Sequence, residues 1–203
     1  MKNTEYKSGA VKERYLKNLV KIQVGYQTRT RIFENPKGEF SLIRAQDFDE
    51  YGCLKGNKRI RFIPERNPEP YIVKKGDILF LSRGSKNIAF HLDEHLDKSI
   101  ASNTFYILRD ISHFILPQFL TWWLNHTISQ LFFKSQASRA NISFVSKSVL
   151  EKVNIIVPPT SIQEKIIALN RLWLKEKQLY WNLINKKSQL IEALCLAAIK
   201  NKE

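Results

Sequence analysis

Two hundred and three residues, 43% of them hydrophobic and 26% charged, suffice for one packed domain with an appendage and exclude a disordered chain. The 33 basic residues outnumber the 19 acidic ones, giving a formal charge of +14 and an isoelectric point near 9.8. Such a surplus points to an acidic partner, of which nucleic acid is the commonest, although a merely basic protein would show the same balance.

Residues 1–14 are polar and of mixed charge and read as a loose lead-in. Leu19 to Val24 alternates as a strand and is closed by Gly25. Tyr26-Gln-Thr-Arg-Thr-Arg-Ile32 then sets Arg29 and Arg31 beside an aromatic ring and a threonine. Those side chains suit phosphate and base-edge contacts on DNA; a solvated loop would look the same. Asn35-Pro-Lys-Gly38 is a turn. Phe40 to Gln46 is a second strand candidate, with Arg44 and Gln46 on the face opposite Ser41, Ile43 and Ala45. After a loop from Asp47 to Asn57, Lys58-Arg-Ile-Arg-Phe-Ile63 alternates again, which puts Arg59 and Arg61 on one face. A basic strand face can hold phosphates or simply be a solvated edge. Residues 64–70, with three prolines, form an irregular connection.

Gly76-Asp77 marks a turn into the buried strand Ile78 to Leu81, which delivers Arg83 from a rigid element. Gly84-Ser-Lys86-Asn87 can turn sharply and offer amides and a lysine to an anion. Ile100 to Arg109 is read as one stretch ending in an alternating strand. Its small start, Ala101-Ser-Asn103, fits close approach to a ligand or a tight strand start equally well. From Pro117 the spacing predicts one helix, Gln118 to Ser135, burying Leu120, Trp123, Leu124, Ile128, Leu131 and Phe132 as core.

The chain is organised around its last sixty residues. A short helix signal at Ser148 to Glu151 and the apolar run Val153 to Val157 lead to Pro158-Pro159. No Gly or Pro follows to the end. Ser161-Ile-Gln-Glu164 has capping-box spacing. The apolar positions Ile162, Ile166, Leu169, Trp173, Tyr180, Leu183, Leu190, Leu194 and Ala197 follow alternating steps of three and four, with Glu176 and Lys187 interrupting the stripe. A helix of about 40 residues would span ~60 Å, and a second line through Ile167, Leu174 and Trp181 widens its face. We expect a protruding spacer that packs as a coiled coil on another long helix rather than folding back on its own domain. The expected division is a mixed α/β domain over residues 1–159 and a long dimerising helix over residues 160–203.

Catalytic signatures are missing. There is no phosphate-binding G-x-x-x-x-G-K-[ST] loop and no G-x-G-x-x-G. His91, His95, His113 and His126 make no H-E-x-x-H and do not pair with Cys53 or Cys195 at zinc spacing; His91 and His95 are four apart but fall in a polar, non-helical stretch. Asp77, Asp93, Glu94 and Asp97 form no convincing nuclease set. Val157-Pro-Pro-Thr160 lacks the polar acceptor and the stacking ring of a DNA amino-methyltransferase loop. The two cysteines are expected to be free thiols in a reducing compartment. Without a secretory signal in residues 1–20 or a run of 18 apolar residues, a cytoplasmic protein is expected.

Several blocks, taken in order, carry a resemblance. They are Ile22-Gln-Val-Gly-Tyr-Gln-Thr-Arg-Thr-Arg31, Leu42-Ile-Arg-Ala-Gln-Asp47, Lys75-Gly-Asp-Ile-Leu-Phe-Leu-Ser-Arg-Gly84, Ala101-Ser-Asn103, Leu116-Pro-Gln-Phe-Leu120 with Trp123-Leu-Asn125, and Ile142-Ser with Leu150, Val157-Pro-Pro, Gln163 and Ile166. Together the sequence resembles the specificity subunit of type I restriction-modification systems, in a half-length form with one target-recognition domain. The resemblance implies a non-catalytic DNA reader of one half of a bipartite target. Two copies would pair through the C-terminal helix, which would set the gap between half-sites. The implied partners are double-stranded DNA, a DNA adenine methyltransferase subunit and a motor nuclease subunit. S-adenosylmethionine, ATP and Mg would bind those partners and not this chain. The family does not fix which residues read bases. From position and chemistry the candidates are Arg29, Arg31, Arg44, Gln46, Arg83, Lys86 and Asn103, with Arg59 and Arg61 as phosphate contacts. The competing readings are a stand-alone dimeric DNA- or RNA-binding regulator, disfavoured by the lack of a helix-turn-helix or RNA-recognition signature, and a nuclease fusion, disfavoured by length.

Overall fold

A computed structural model of the chain describes residues 12–28, 32–49, 52–56, 59–84, 87–140 and 144–200. Its strands are β1 (Lys12–Tyr15), β2 (Lys21–Val24), β3 (Phe40–Ile43), β4 (Ile60–Phe62), β5 (Ile78–Leu81), β6 (Ala89–His91), β7 (Ser99–Ala101), β8 (Phe105–Arg109) and β9 (Asn154–Val157). The helices are α1 (Pro117–Asn125), α2 (Thr127–Ala140), α3 (Lys147–Glu151) and α4 (Thr160–Lys200). The expected class, a mixed α/β domain followed by a long C-terminal helix, is what forms.

Three sheets build the domain. A four-stranded sheet runs β2-β8-β5-β6, a three-stranded one β4-β3-β7, and β1 pairs with β9. Period-two alternation distributes the side chains among three cores. In β5 and β8, Ile78, Phe80, Tyr106 and Leu108 face one way, onto Phe119, Leu120, Leu124 and Phe133 of α1 and α2. Leu79, Phe105 and Ile107 face the other way, onto Ile43 and Ala101 of the second sheet. On the far side of that sheet, Leu42, Phe62 and Ile100 pack under Tyr26, with Tyr71 and Ile32 against them. β8 is thus buried on both faces, which explains its unbroken apolar run from Phe105 to Leu108.

Five local expectations change. The lead-in contains β1, which pairs antiparallel with β9 from Lys12↔Val157 to Tyr15↔Asn154. Its charged sequence gives no strand signal, but β9 buries Ile155 and Val157 and its backbone groups need a partner. The second strand stops at Ile43, because the Asp47 carboxylate accepts from the Arg44 N–H at 2.8 Å and closes a 3-10 turn at Ala45–Asp47. Arg44 and Gln46 therefore leave the sheet. The stretch from Ile100 to Arg109 does end in a strand, β8, but its first residues add an unexpected strand, β7, in a different sheet.

The single helix expected over residues 118–135 breaks at His126, whose ψ of 150° is extended. The break shifts the phase of the second half, so Ile128 and Leu131 are 56% and 61% exposed while Phe133 turns inward, 5.1 Å from the Phe80 ring. Gln130 Nε2 donates to the Leu124 carbonyl at 2.8 Å and to the Asn87 carbonyl at 2.7 Å across the break. The capping box is also displaced. α4 starts at Thr160, the Pro159 carbonyl accepts from Ile162 and Gln163 N–H, and Ser161 and Glu164 both face solvent.

Gln163, on the opposite side of that turn, is fully buried. Its Oε1 accepts from the Leu116 N–H at 2.8 Å, and its Nε2 donates to the carbonyls of Phe114 at 2.9 Å and Pro158 at 2.8 Å. One side chain thereby ties the start of α4 to the start of α1. Beyond that turn α4 runs to Lys200, a span of ~60 Å at 1.5 Å per residue. Pro158-Pro159 forms the strand-to-helix joint expected of it.

Candidate nucleic-acid interface

The sheet registers send four strand ends to one place. β2 and β5 both run antiparallel to the central β8, with Val24↔Tyr106 and Leu81↔Phe105, so their C-terminal ends flank its start. β7 leads into the turn Ser102–Thr104 that begins β8, and β3 runs parallel to β7 with Ile43↔Ala101. The C-terminal ends of β2, β3, β5 and β7 therefore converge on Ser102–Thr104.

Short bonds hold that convergence. Tyr26 N–H donates to the Ala101 carbonyl at 2.7 Å, Ser102 N–H to Ile43 at 3.0 Å, and Ser82 N–H to Thr104 at 2.9 Å. Ser82 Oγ also donates to the Thr104 carbonyl, and the Ser102 and Thr104 hydroxyls share a 2.8 Å bond. Gly25 is required here by space, since a Cβ on it would lie 2.1 Å from the Ser102 carbonyl oxygen. The small residues Ala101-Ser102 thus serve a tight crossing between sheets, one of the two roles open to them from the sequence.

Four of the nine sequence candidates meet at this edge. Arg44 and Gln46 leave from β3, Arg83 from β5, and Asn103 sits half-buried on the turn itself. Arg29, Arg31 and Lys86 lie outside the described residues. The described residues next to them in sequence, Tyr26–Thr28 and Arg83–Gly84, lie at this edge. Arg59 precedes β4, whose first residue pairs with Leu42 near the end of β3. Arg61 is the exception. It lies mid-strand, and its Nε donates to the Gly38 carbonyl at 2.8 Å, on the turn at the other end of β3.

The cations differ in freedom. Arg44 is half-buried, with its guanidinium 3.4 Å from Asp47, and the Gln46 amide, oriented with its oxygen towards Arg44, accepts from that guanidinium at 2.8 Å. That pair shapes the β3 exit as one unit. Arg83 is exposed and lies over the Phe144 ring at 5.7 Å, a planar cation held on an aromatic face. It also acts on Tyr106, whose phenol is pushed up by burial while the Arg83 charge pulls it down. Sequence reading named Gln163 only within the closing block of the resemblance, without its role at the joint, and passed over Arg66. Arg66 stands 5.0 Å from both the Tyr26 and Tyr71 rings. No local pattern marks it, because the three residues meet only in the fold.

Among the described residues no group of three His, Cys, Asp or Glu side chains could hold a metal ion, and no helix is long and apolar enough to cross a membrane. The arrangement is a basic, polar edge of loops on a rigid double sheet, in a domain joined through the start of α1 to a long helix with large apolar side chains exposed. Leu169 is 70% exposed and Tyr180 60%. Ile166, expected on the pairing stripe, instead packs with Ile167 against the domain core.

Comparison with known proteins agrees with this architecture. The profile of the type I restriction modification DNA specificity domain matches residues 10–169. No curated protein sequence matches the chain. Among solved structures, the S subunit of a type I restriction-modification system from M. genitalium shares the fold at a TM-score of 0.53 and 17% identity, over 84% of this chain and 41% of that one. The HsdS subunit from Thermoanaerobacter tengcongensis does so at 0.56 and 16%, over 87% and 39%. A structure described as the basis of complex assembly and conformational transition of the type I R-M system gives 0.55 and 14%, over 88% and 40%. The chain spans about two fifths of the length of these proteins. With its profile match covering most of the sequence, the chain belongs to the family of type I restriction-modification DNA specificity domains.

Proposed function

We propose that this chain is a non-catalytic specificity subunit that reads one half of a bipartite DNA target through the loops at the Ser102–Thr104 edge. The observation that carries the reading is the convergence of four strand ends there, bringing Arg44, Gln46, Arg83 and Asn103 to one rim. Base readers need defined positions on rigid elements, and phosphate contacts fix register around them. A formal charge of +14 supplies the affinity that is independent of sequence. In this reading a DNA adenine methyltransferase subunit and a motor nuclease subunit dock on the chain. They would supply S-adenosylmethionine, ATP and Mg chemistry in the cytoplasm.

The exposed stripe of α4 supports pairing with a second copy. Leu169, Trp173, Tyr180, Leu183, Leu190 and Leu194 are each about half exposed or more, and an apolar stripe of this length marks an interaction surface. An antiparallel pair would place two recognition edges at opposite ends and set the gap between half-sites by helix length. Ile162, still exposed, would close the pairing face where α4 meets the domain.

The test is selection from randomised duplexes by the full chain together with a type I methyltransferase subunit. Arg83→Ala and Asn103→Ala should alter the enriched half-site, whereas Arg59→Ala should weaken all sequences alike. An unchanged motif in both edge variants would remove the edge from the recognition surface. Light scattering should give a dimer for the wild type and a monomer for the Trp173→Arg, Leu183→Arg double variant. A wild-type monomer at micromolar concentration would contradict self-pairing.

A further inference from the structure

Arg66 is an exposed cation in the proline-rich connection between β4 and β5, and among the described residues no carboxylate pairs with it. It is nevertheless fixed. Its guanidinium carbon lies 5.0 Å from the centroids of both the Tyr26 and Tyr71 rings, and those rings meet edge to face at 5.3 Å. Its backbone N–H donates to the Tyr26 hydroxyl at 3.2 Å. Tyr26 is itself buried, packed against Phe62, with its backbone bonded to Ala101 at the convergence of strand ends. The loop that carries Arg29 and Arg31 leaves from Tyr26, and Ile32, where it returns, packs on the same aromatic layer.

We infer that Arg66 is a DNA phosphate contact, pre-organised on the Tyr26–Tyr71 platform beside the recognition edge; this rests on the DNA-reading function proposed above. A planar cation already held on two rings loses little conformational freedom when it meets a phosphate, and its outer N–H groups match phosphate oxygens in pairs. The same restraint keeps it from extending into a groove as a base reader must. The platform therefore assigns it a positioning contact, independent of sequence.

The experiment measures binding of the full chain, with the methyltransferase subunit, to a mixed-sequence duplex across a salt series. Arg66→Ala should bind about five- to tenfold more weakly at low salt, with a salt slope shallower by about 0.9, the value for one phosphate. Arg66→Lys should recover the slope but only part of the affinity, because a point charge does not stack on the rings. Melting temperatures of the variants separate this loss from a folding defect; if Arg66→Ala melts early, the Arg66→Lys comparison decides. Wild-type affinity and slope in Arg66→Ala would overturn the inference and leave the edge reading intact, as would a changed sequence preference. If the wild type binds no duplex at all, the DNA-reading function falls, and this inference with it.

Discussion

Replacing Gln163 tests how the long helix is held to the domain. The side chain is fully buried and makes three hydrogen bonds, to the Leu116 N–H and to the carbonyls of Phe114 and Pro158. In Gln163→Ala all three backbone groups lose their partner inside the protein. At a net ~1 kcal/mol for each bond, the expected loss is about 3 kcal/mol, with more where a group stays unsolvated. Gln163→Glu separates packing from bonding. It keeps the shape and can still accept from Leu116, but it sets a carboxylate against two carbonyls. It should be about as damaging as alanine at pH 8 and partly recover as acid protonates the carboxyl. Urea unfolding of the full chain, followed by tryptophan fluorescence, reads the difference at constant m. A loss under about 1 kcal/mol in Gln163→Ala, or a Gln163→Glu variant as stable as wild type at pH 8, would refute this account of the joint.

Other outcomes follow from the same geometry. Gly25→Ala forces a Cβ to 2.1 Å from the Ser102 carbonyl, a backbone atom that cannot step aside. The expected cost is on the order of 3 kcal/mol with loss of DNA binding, while Gly56→Ala, with nothing within 4 Å, should stay within about 0.5 kcal/mol of wild type in a thermal melt. Burial holds the His91 imidazole below its ordinary value; Asp93 pulls it up and Lys75 pushes it further down. The unfolded chain then takes the proton first as pH falls below about 6.5, so stability should be level above that pH, drop as pH falls to the folded-state value, and level off again below it. Urea midpoints at several pH values should show a shallower slope for His91→Gln; parallel slopes would contradict the assignment.

The parts of the fold legible in the sequence are those that carry their own signal. α4 was visible because nothing after Pro159 breaks it, and the joint because two prolines end β9. β5 was visible as an apolar run with Arg83 at its exit. What stayed hidden depends on partners distant in sequence. β1 is a strand because β9 needs a neighbour, not because Lys-Glu-Arg-Tyr favours one. The break at His126 involves no Gly or Pro; Gln130 stabilises it from outside the predicted pattern. The capping-box spacing was present, yet the buried residue of that turn is Gln163, which answers to α1 rather than to its own helix.

The edge was half legible. Chemistry picked out its arginines and polar side chains one at a time. That Arg44, Arg83 and Asn103 share an end follows only from the parallel pairing of β3 with β7 and the antiparallel pairing of β5 with β8. The Tyr26–Arg66–Tyr71 stack joins residues 40 and 45 positions apart and carried no sequence signal.

The most direct measurement is the sequence enriched from a randomised duplex library by the full chain with a type I methyltransferase subunit at physiological salt. The account predicts a gapped motif made of two inverted copies of one half-site, with a fixed spacer, and an adenine within each half. An ungapped motif, or no enrichment over the starting library, would contradict it.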